Sequence, residues 1–312
     1  MPTWDPLGAN LLFVISQPRS GSTLLQKILG SHTFVHAVSE PWIALHPLFG
    51  RRASGIATEY GARAALDGLN DFLARLRGGE EVWWEAVRLM LGHLYGRALE
   101  ESGKCVFLDK TPRYYFIISE LRRVFPRARM VFLLRNPLAV LASVIETWAP
   151  DDSAESLRIF RRDLVTAPSL IAQGIQEFGA TCPVVRYEEL ATDPAETVAR
   201  LCERLELPFE AGMIEYGASA AGRERFPYGD EGTVYREVRP VPDRIARWQA
   251  ALDSPVRRAW ARGYVESLGR EIVNALGYSY DELHGAFPLQ PGFEGAWAEL
   301  VNAGAGRRTV PA

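Results

Sequence analysis

Short apolar runs alternate with longer amphipathic stretches along much of the chain. The runs "LLFVIS" (11–16), "CVFLD" (105–109), "RMVFLL" (129–134) and "CPVVR" (182–186) are too short for helices and are typical of buried strands. A further extended piece, "FVHAV", lies shortly before Pro41. The segments between these runs place apolar residues at helical spacing. Short buried strands separated by helices predict an α/β fold with a parallel sheet covered on both faces.

Three longer regions complete the predicted organisation. Residues 59–102 are predicted to be helical, with apolar stripes that include Phe72 and Leu94, and residues 153–178 predict one long helix kinked at Pro168. Residues 216–242 are rich in Gly, Arg and Tyr and show no periodicity. A loop of that length in a compact domain is usually either functional or mobile. Because no repeat or linker interrupts the pattern, we expect a single domain over residues 1–312.

Composition changes this picture only by exclusion. Of the 312 residues, 47% are hydrophobic and 23% charged, and the net charge is −3, so nothing in the totals favours a nucleic acid or an acidic membrane as partner. The three cysteines are widely spaced and predict reduced core residues rather than metal ligands. Without a targeting signal or an apolar stretch near the roughly 20 residues that span a bilayer, a soluble cytoplasmic protein is expected.

The first strand leads into a loop that resembles a phosphate-binding turn. Against the pattern GxxxxGK[ST], Gly21 and Thr23 are in register, whereas Ser16 replaces the first glycine and Ser22 replaces the lysine. Backbone N–H groups at the start of the next helix would still point at an anion, and Arg19 adds a permanent charge suited to an oxyanion. The loop alone could also be an ordinary turn with a solvated arginine.

A second candidate for anion binding follows the strand at 129–134. "RNPLAVLAS" places Arg135 at the carboxyl end of that strand and Ser143 about two turns into the following helix. Ligands of open α/β folds bind at this end of the sheet. Taken singly, Arg135 could equally form a salt bridge at a helix start, and Ser143 could be a small packing residue.

These stretches together resemble the sulfotransferase superfamily that uses 3′-phosphoadenosine 5′-phosphosulfate (PAPS). "PRSGST" is similar to the family's 5′-phosphosulfate loop and "RNPLAVLAS" to its 3′-phosphate motif. The segments "DKTPRYYF" and "VVRYEELATDP" occur in the family's order. The resemblance covers residues 11–204 and continues weakly through "DRIARWQAAL".

The resemblance implies a three-layer fold, like that of phosphate-loop proteins, with about five parallel strands. It also implies PAPS as donor and no required metal. The cofactor-binding residues it implies are Arg19, Ser20, Gly21, Ser22 and Thr23 for the phosphosulfate, and Arg135 and Ser143 for the 3′-phosphate. Tyr187 and a late-loop arginine, with Arg236 and Arg239 foremost beside Arg223 and Arg225, are candidates for contacts to adenine or the 3′-phosphate. The loop at 216–242 would cover the cofactor.

The resemblance also assigns catalytic candidates. Lys110 stands where the family places a lysine near the bridging oxygen of the donor. Arg19 is the second catalytic cation. In the cytosolic branch a histidine follows, but Pro112 occupies that position here, so that base is missing. The tyrosylprotein and several bacterial branches use a glutamate shortly after the first helix, and "VSEPW" supplies Glu40 there. His36 and His46 are weaker candidates for the base.

The acceptor is less determined than the donor. Residues 43–104 are expected to form a helical cover over the acceptor site. The aromatic residues that either line it or pack in the core are Trp83, Trp84, Tyr95 and Tyr114. A small-molecule or glycan hydroxyl is favoured over a protein acceptor. Two alternatives stay open: a phosphate-loop kinase or NTPase with Asp109 holding a metal, and a non-catalytic nucleotide-binding protein.

Overall fold

A five-stranded, fully parallel sheet lies at the centre of this computed structural model, which describes residues 4–218, 237–289 and 291–302. In the described part of the chain the strand order is β2-β3-β1-β4-β5. The strands are β1 Leu11–Ser16, β2 Val35–Ser39, β3 Val106–Lys110, β4 Arg129–Leu134 and β5 Val184–Arg186. This confirms the α/β fold and the five parallel strands expected from the sequence.

Helices connect the strands and cover both faces of the sheet. In chain order, the described α-helices are α1 Ser22–Gly30, α2 Leu45–Phe49, α3 Ala62–Ala74, α4 Glu80–Ser102, α5 Ile118–Val124, α6 Pro137–Trp148, α7 Ala154–Ile159, α8 Ala167–Phe178, α9 Tyr187–Thr192, α10 Pro194–Arg204, α11 Arg247–Ala251, α12 Pro255–Ala275, α13 Tyr280–Gly285 and α14 Ala296–Asn302. Short 3₁₀ segments lie at Pro112–Ile117, Ala211–Met213, Tyr216–Ala218 and Pro242–Arg244. None of the helices in the described ranges is long and apolar enough to cross a membrane.

The central strand β1 divides the core into two layers. Phe13 and Ile15 contribute to a cluster with α4, α5 and α8, whereas Leu12 and Val14 contribute to a second cluster with α1 and α10. Every residue of β1 is buried, as expected for a strand whose two faces are both covered by helices. A third cluster, under α6 and α12, extends the core beyond the sheet.

Strand register determines which loops meet. β1 pairs in parallel with β3 and with β4, and β2 pairs with β3 so that Ser39 lies opposite Lys110. Because the chain continues from β1 to the β2–β3 side and then crosses to β4, the strand order reverses at β1. Ligands of open α/β sheets bind at the carboxyl ends of the strands where this reversal occurs. The loops after Ser16, Ser39, Lys110 and Leu134 therefore share one edge of the sheet.

The helical cover predicted at 43–104 is in large part a layer of the core. Trp84 and Tyr95 of α4 are buried against the sheet together with Tyr114, so these aromatic residues pack in the core and do not line an acceptor pocket. The predicted apolar stripes are wrong at Phe72 and Leu94, which are exposed. Helical spacing alone does not show which apolar positions receive a packing partner.

The single long helix predicted at 153–178 is also wrong. Helix α7 ends at Ile159, a π-helical turn follows at Arg162–Thr166, and α8 begins at Ala167. The break in the predicted helix falls after Ile159, whereas the π-helical turn continues directly into α8 with helical backbone angles at Thr166. Pro168 therefore lies where a continuous helix changes from π to α geometry, and such a bulge is one of the usual accompaniments of a kink.

Candidate active site

The loop between β1 and α1 is a tight turn in which two residues have positive φ. Arg19 has a φ of 70° and Gly21 a φ of 91°, and α1 begins at Ser22 without a side-chain cap from the described residues. Its first N–H groups have no partner inside the helix and are oriented towards the carboxyl edge of the sheet. The hydroxyl-bearing residues Ser20, Ser22 and Thr23 are buried beside them.

Tyr187 closes the loop from the side and requires glycine at position 21. A Cβ on Gly21 would lie 2.4 Å from Cδ2 of Tyr187. Arg135 also contacts this ring, with its guanidinium carbon 4.4 Å from the ring centroid. Tyr187 is the first residue of α9, directly after β5, so the sheet places it next to β4 and Arg135. Burial raises the pKa of the Tyr187 hydroxyl, whereas Arg135 and Arg244 act to lower it.

Arg19 joins the loop to the second anion motif. Its Nε donates to Oγ of Ser143 at 3.1 Å, its Nη2 donates to Oγ1 of Thr147 at 3.1 Å, and its guanidinium lies 5.5 Å from the Trp148 ring. Arg135 Nη1 donates to the backbone oxygen of Arg19 at 3.0 Å. The structure therefore brings together the residues that the sequence places 116 to 128 positions apart. Sequence reasoning missed Thr147, although it lies one helical turn after Ser143 on the same helix face.

Arg135 is largely enclosed at the end of β4. Burial is the main influence on its pKa, which is lowered although Tyr187 and Glu188 act in the opposite direction. Its Nε is buried and has no hydrogen-bond partner among the described residues. Glu188 also accepts from the backbone N–H of Asn136 at 2.8 Å and from the Tyr278 hydroxyl at 2.9 Å, which fixes the chain directly after Arg135.

Glu40 and Lys110 form an ion pair on the other side of the loop. Lys110 Nζ donates to Oε1 of Glu40 at 3.1 Å, with side-chain exposures of 0% for the lysine and 15% for the glutamate. The backbone N–H of Glu40 donates to the Lys110 oxygen at 2.8 Å, which continues the β2–β3 pairing by one residue. The two catalytic candidates are therefore joined by backbone as well as by side chains.

Arg113 is a further site residue that sequence reasoning missed. Its guanidinium donates to both carboxylate oxygens of Asp163, at 2.8 Å to Oδ2 and 3.1 Å to Oδ1, and lies 5.5 Å from the Trp42 ring. Burial acts to lower the pKa of Arg113, but its hydrogen bonds to Asp163 outweigh this effect and the pKa is raised. Gln17 of the phosphate loop donates to the backbone oxygen of Asp163 at 2.8 Å. The only signal in the sequence was the position of Arg113, three residues after Lys110.

Asp109 does not have the surroundings of a metal-holding carboxylate. It is 0% exposed, and its two oxygens accept from the hydroxyls of Tyr95 at 2.7 Å, Thr111 at 2.8 Å and Tyr114 at 2.9 Å. Burial raises its pKa to about 6 although these hydrogen bonds oppose the shift. Within the described ranges no group of three or more His, Cys, Asp or Glu residues could hold a metal ion.

The histidines and the late arginines are placed differently from the central residues. His46 is exposed on α2, and the His36 ring packs edge-on against Phe107 at 5.5 Å. Arg236, like Arg223 and Arg225, lies outside the described residues. Arg239 is exposed, and its backbone oxygen accepts from the Tyr216 hydroxyl at 3.3 Å. Arg244, which sequence reasoning did not single out, pairs with Glu237 and influences the pKa of Tyr187.

Fold and site together define an α/β protein that has a loop suited to binding an oxyanion and a carboxylate–lysine ion pair at the same edge of the sheet. A family model described as "Sulfotransferase family" matches residues 12–211. The nodulation protein NoeE of Sinorhizobium fredii (strain NBRC 101917 / NGR234) is 27% identical over 303 residues, which cover 88% of this chain and 67% of that protein. The chain belongs to the sulfotransferase family.

Two solved structures have the same fold. They are the sulfotransferase domain from the curacin biosynthetic pathway and the sulfotransferase domain from the Synechococcus PCC 7002 olefin synthase. Each is 20% identical and superimposes with a TM-score of 0.54 over 86% of this chain, covering 97% and 93% of those domains respectively.

Proposed function

We propose that this protein transfers the sulfuryl group of PAPS to a hydroxyl acceptor, with Glu40 as the general base. The observation that carries the proposal is the convergence of three groups at one sheet edge. These are the Arg19 loop, the Glu40–Lys110 pair and the Arg135–Ser143 motif. One side of this site offers fixed positive charge and N–H groups, and the other offers a proton acceptor.

The residues present fit the two anionic ends of the donor. The N-terminus of α1, which no side chain in the described part of the chain caps, would hold the phosphosulfate together with the buried hydroxyls of Ser20, Ser22 and Thr23. Arg135 and Ser143 would hold the 3′-phosphate, to which the buried Nε of Arg135, without a hydrogen-bond partner among the described residues, could donate. The Tyr187 ring, which fills the space beside Gly21, lies between these two parts of the site.

The chemistry follows from the positions of the catalytic candidates. When bound, the donor supplies a sulfuryl group attached to a phosphate leaving group. Glu40 would accept the proton of the acceptor hydroxyl, and Lys110 and Arg19 would stabilise negative charge on the phosphate. Since Lys110 Nζ is 3.1 Å from Glu40, the proposed base and a cation that would stabilise the leaving group belong to one site, which would hold the acceptor hydroxyl next to the donor. Arg19, Lys110 and the loop N–H groups can supply this stabilisation without Mg²⁺, so no metal is part of the proposal.

We propose a small-molecule or glycan hydroxyl as the acceptor and a cytoplasmic location. Two half-buried tryptophan rings support this acceptor class. Trp42, two residues after Glu40, lies beside the Arg113 guanidinium, and Trp148 lies beside the Arg19 guanidinium. Flat rings of this kind offer stacking surface to aryl and sugar rings. Incubation with ³⁵S-labelled PAPS and a panel of phenols, alkyl alcohols, oligosaccharides and tyrosine peptides tests the class directly.

The donor assignment is tested by calorimetry with 3′-phosphoadenosine 5′-phosphate. We expect saturable binding without added metal, and no binding by the folded protein would refute the assignment.

The base is tested by Glu40→Gln, which should lower turnover by about 10²–10⁴-fold and leave nucleotide binding nearly unchanged. Glu206→Gln is the matched control, because Glu206 also has a positive φ, of 53°, and lies near Arg129, at the end of β4 opposite the site. Retained turnover in Glu40→Gln would assign the base to another residue.

A further inference from the structure

The segment that carries Glu40 has a strained backbone. Glu40 has a φ of 50° and Trp42 a φ of 58°, in the left-handed region that residues other than glycine rarely adopt. Two such residues within three positions persist only where the surrounding structure holds the chain in place. The contacts that hold this segment therefore determine where the Glu40 carboxylate lies.

Both ends of the segment are attached to the chain at residues 109–114. At the first end, the N–H of Glu40 donates to the backbone oxygen of Lys110 at 2.8 Å. At the second end, the N–H of the fully buried Ala44 donates to the hydroxyl oxygen of Tyr114 at 3.2 Å. That hydroxyl in turn donates to Oδ2 of Asp109 at 2.9 Å. The second attachment is a relay from a backbone amide through a phenol to a buried carboxylate.

A comparison with Tyr95 separates the hydrogen-bonding role of the Tyr114 hydroxyl from a general role of a buried tyrosine in packing. The Tyr95 hydroxyl donates to the same oxygen of Asp109, at 2.7 Å, and both tyrosines are fully buried in the same core cluster. Of the two hydroxyls, the one on Tyr114 also accepts a hydrogen bond from the Glu40 segment. The two phenols therefore share burial and the carboxylate partner, and differ in their contact with residues 40–44.

We propose that Tyr114 is a positioning residue whose hydroxyl, held by Asp109, keeps the 40–44 segment in the strained conformation that places Glu40 against Lys110. The inference rests on the proposed function, in which Glu40 is the base. In Tyr114→Phe the Ala44 N–H loses its acceptor inside the core, and a buried unpaired donor is costly. The segment then relaxes, and the Glu40 carboxylate leaves its place beside Lys110.

Hydrogen exchange on the resting protein tests the positioning without donor or acceptor. Peptides that span residues 40–48 should exchange about 10-fold faster or more in Tyr114→Phe than in wild type, since the hydrogen bond that protects the Ala44 amide is removed. In Tyr95→Phe the same peptides should exchange as in wild type, although that variant also loses a hydrogen bond to Asp109. Equal exchange of the segment in the two variants would overturn the proposal.

Turnover tests whether the positioning matters for catalysis. With ³⁵S-PAPS and the best acceptor from the panel, Tyr114→Phe should lower kcat by about 10- to 100-fold with little change in the KM for PAPS. Tyr95→Phe should keep the wild-type kcat. In a Glu40→Gln background, Tyr114→Phe should cause no further loss, because it acts through Glu40.

The outcomes separate the two ideas. A full additional loss in the double variant, or a wild-type kcat in Tyr114→Phe, would refute the positioning role. An active Glu40→Gln enzyme would refute the base assignment, while the exchange data would still decide whether Tyr114 holds the segment.

Discussion

Gly21→Ala is the change whose effect can be worked out most directly from the structure. The new methyl group would lie 2.4 Å from Cδ2 of Tyr187 and 2.8 Å from Cε2, whereas carbon atoms in contact are normally about 3.5–4.0 Å apart. The ring must therefore move by about 1 Å or more, which would disturb its stack on Arg135. Overpacking of this kind costs about 1–3 kcal/mol. The positive φ of 91° at position 21 adds about 1–2 kcal/mol for any residue other than glycine.

Gly61→Ala is the control that separates the steric contact with Tyr187 from the cost of a positive φ in the backbone. Gly61 also precedes the first residue of a helix, with a φ of 75°, but a Cβ there would meet nothing within 4 Å. By urea denaturation we expect Gly61→Ala to lower the free energy of unfolding by about 1–2 kcal/mol, and Gly21→Ala by about 2–5 kcal/mol. Gly21→Ala should also weaken binding of 3′-phosphoadenosine 5′-phosphate. If both variants lose the same stability and both bind nucleotide as wild type does, the role given to the Tyr187 contact is wrong.

Two further predictions concern buried charged groups. Arg135→Lys should weaken nucleotide binding by about 10-fold or more, because lysine lacks the planar fork that stacks on Tyr187 and binds an oxyanion through two donors. Arg129→Lys, at the opposite end of β4, is the control and should bind normally by calorimetry. Burial raises the pKa of Asp109 from 3.8 to about 6, so the folded state keeps a proton that the unfolded chain has lost between these values. The stability of wild type relative to Asp109→Asn should therefore fall with rising pH, by about 1 kcal/mol between pH 5 and 7.5 in urea titrations; a rise would contradict the argument.

The sequence by itself determined the elements and the local anion motifs. Short apolar runs predicted the parallel strands. The turn at Gly21 could be predicted because a phosphate-binding loop needs only a few consecutive residues. The spacing from Arg135 to Ser143 was equally local. The sequence did not show where the long helix around Pro168 is interrupted, or that Phe72 is exposed. Both depend on which other helices and strands pack against each face of the helix.

Only the tertiary structure decided how the site is assembled. The pairing of β2 with β3 brings Glu40 to Lys110 across 70 positions, and the placement of β5 beside β4 sets Tyr187 against Gly21 and Arg135. The π-helical turn that carries Asp163 brings its carboxylate to Arg113, 50 positions away. Contacts of this length follow from strand order and helix packing, which local composition does not encode. The sequence therefore named the Gly21 loop, Glu40 and Tyr187 as candidates, while the fold decided that they meet and which further residues, such as Thr147 and Arg113, lie beside them.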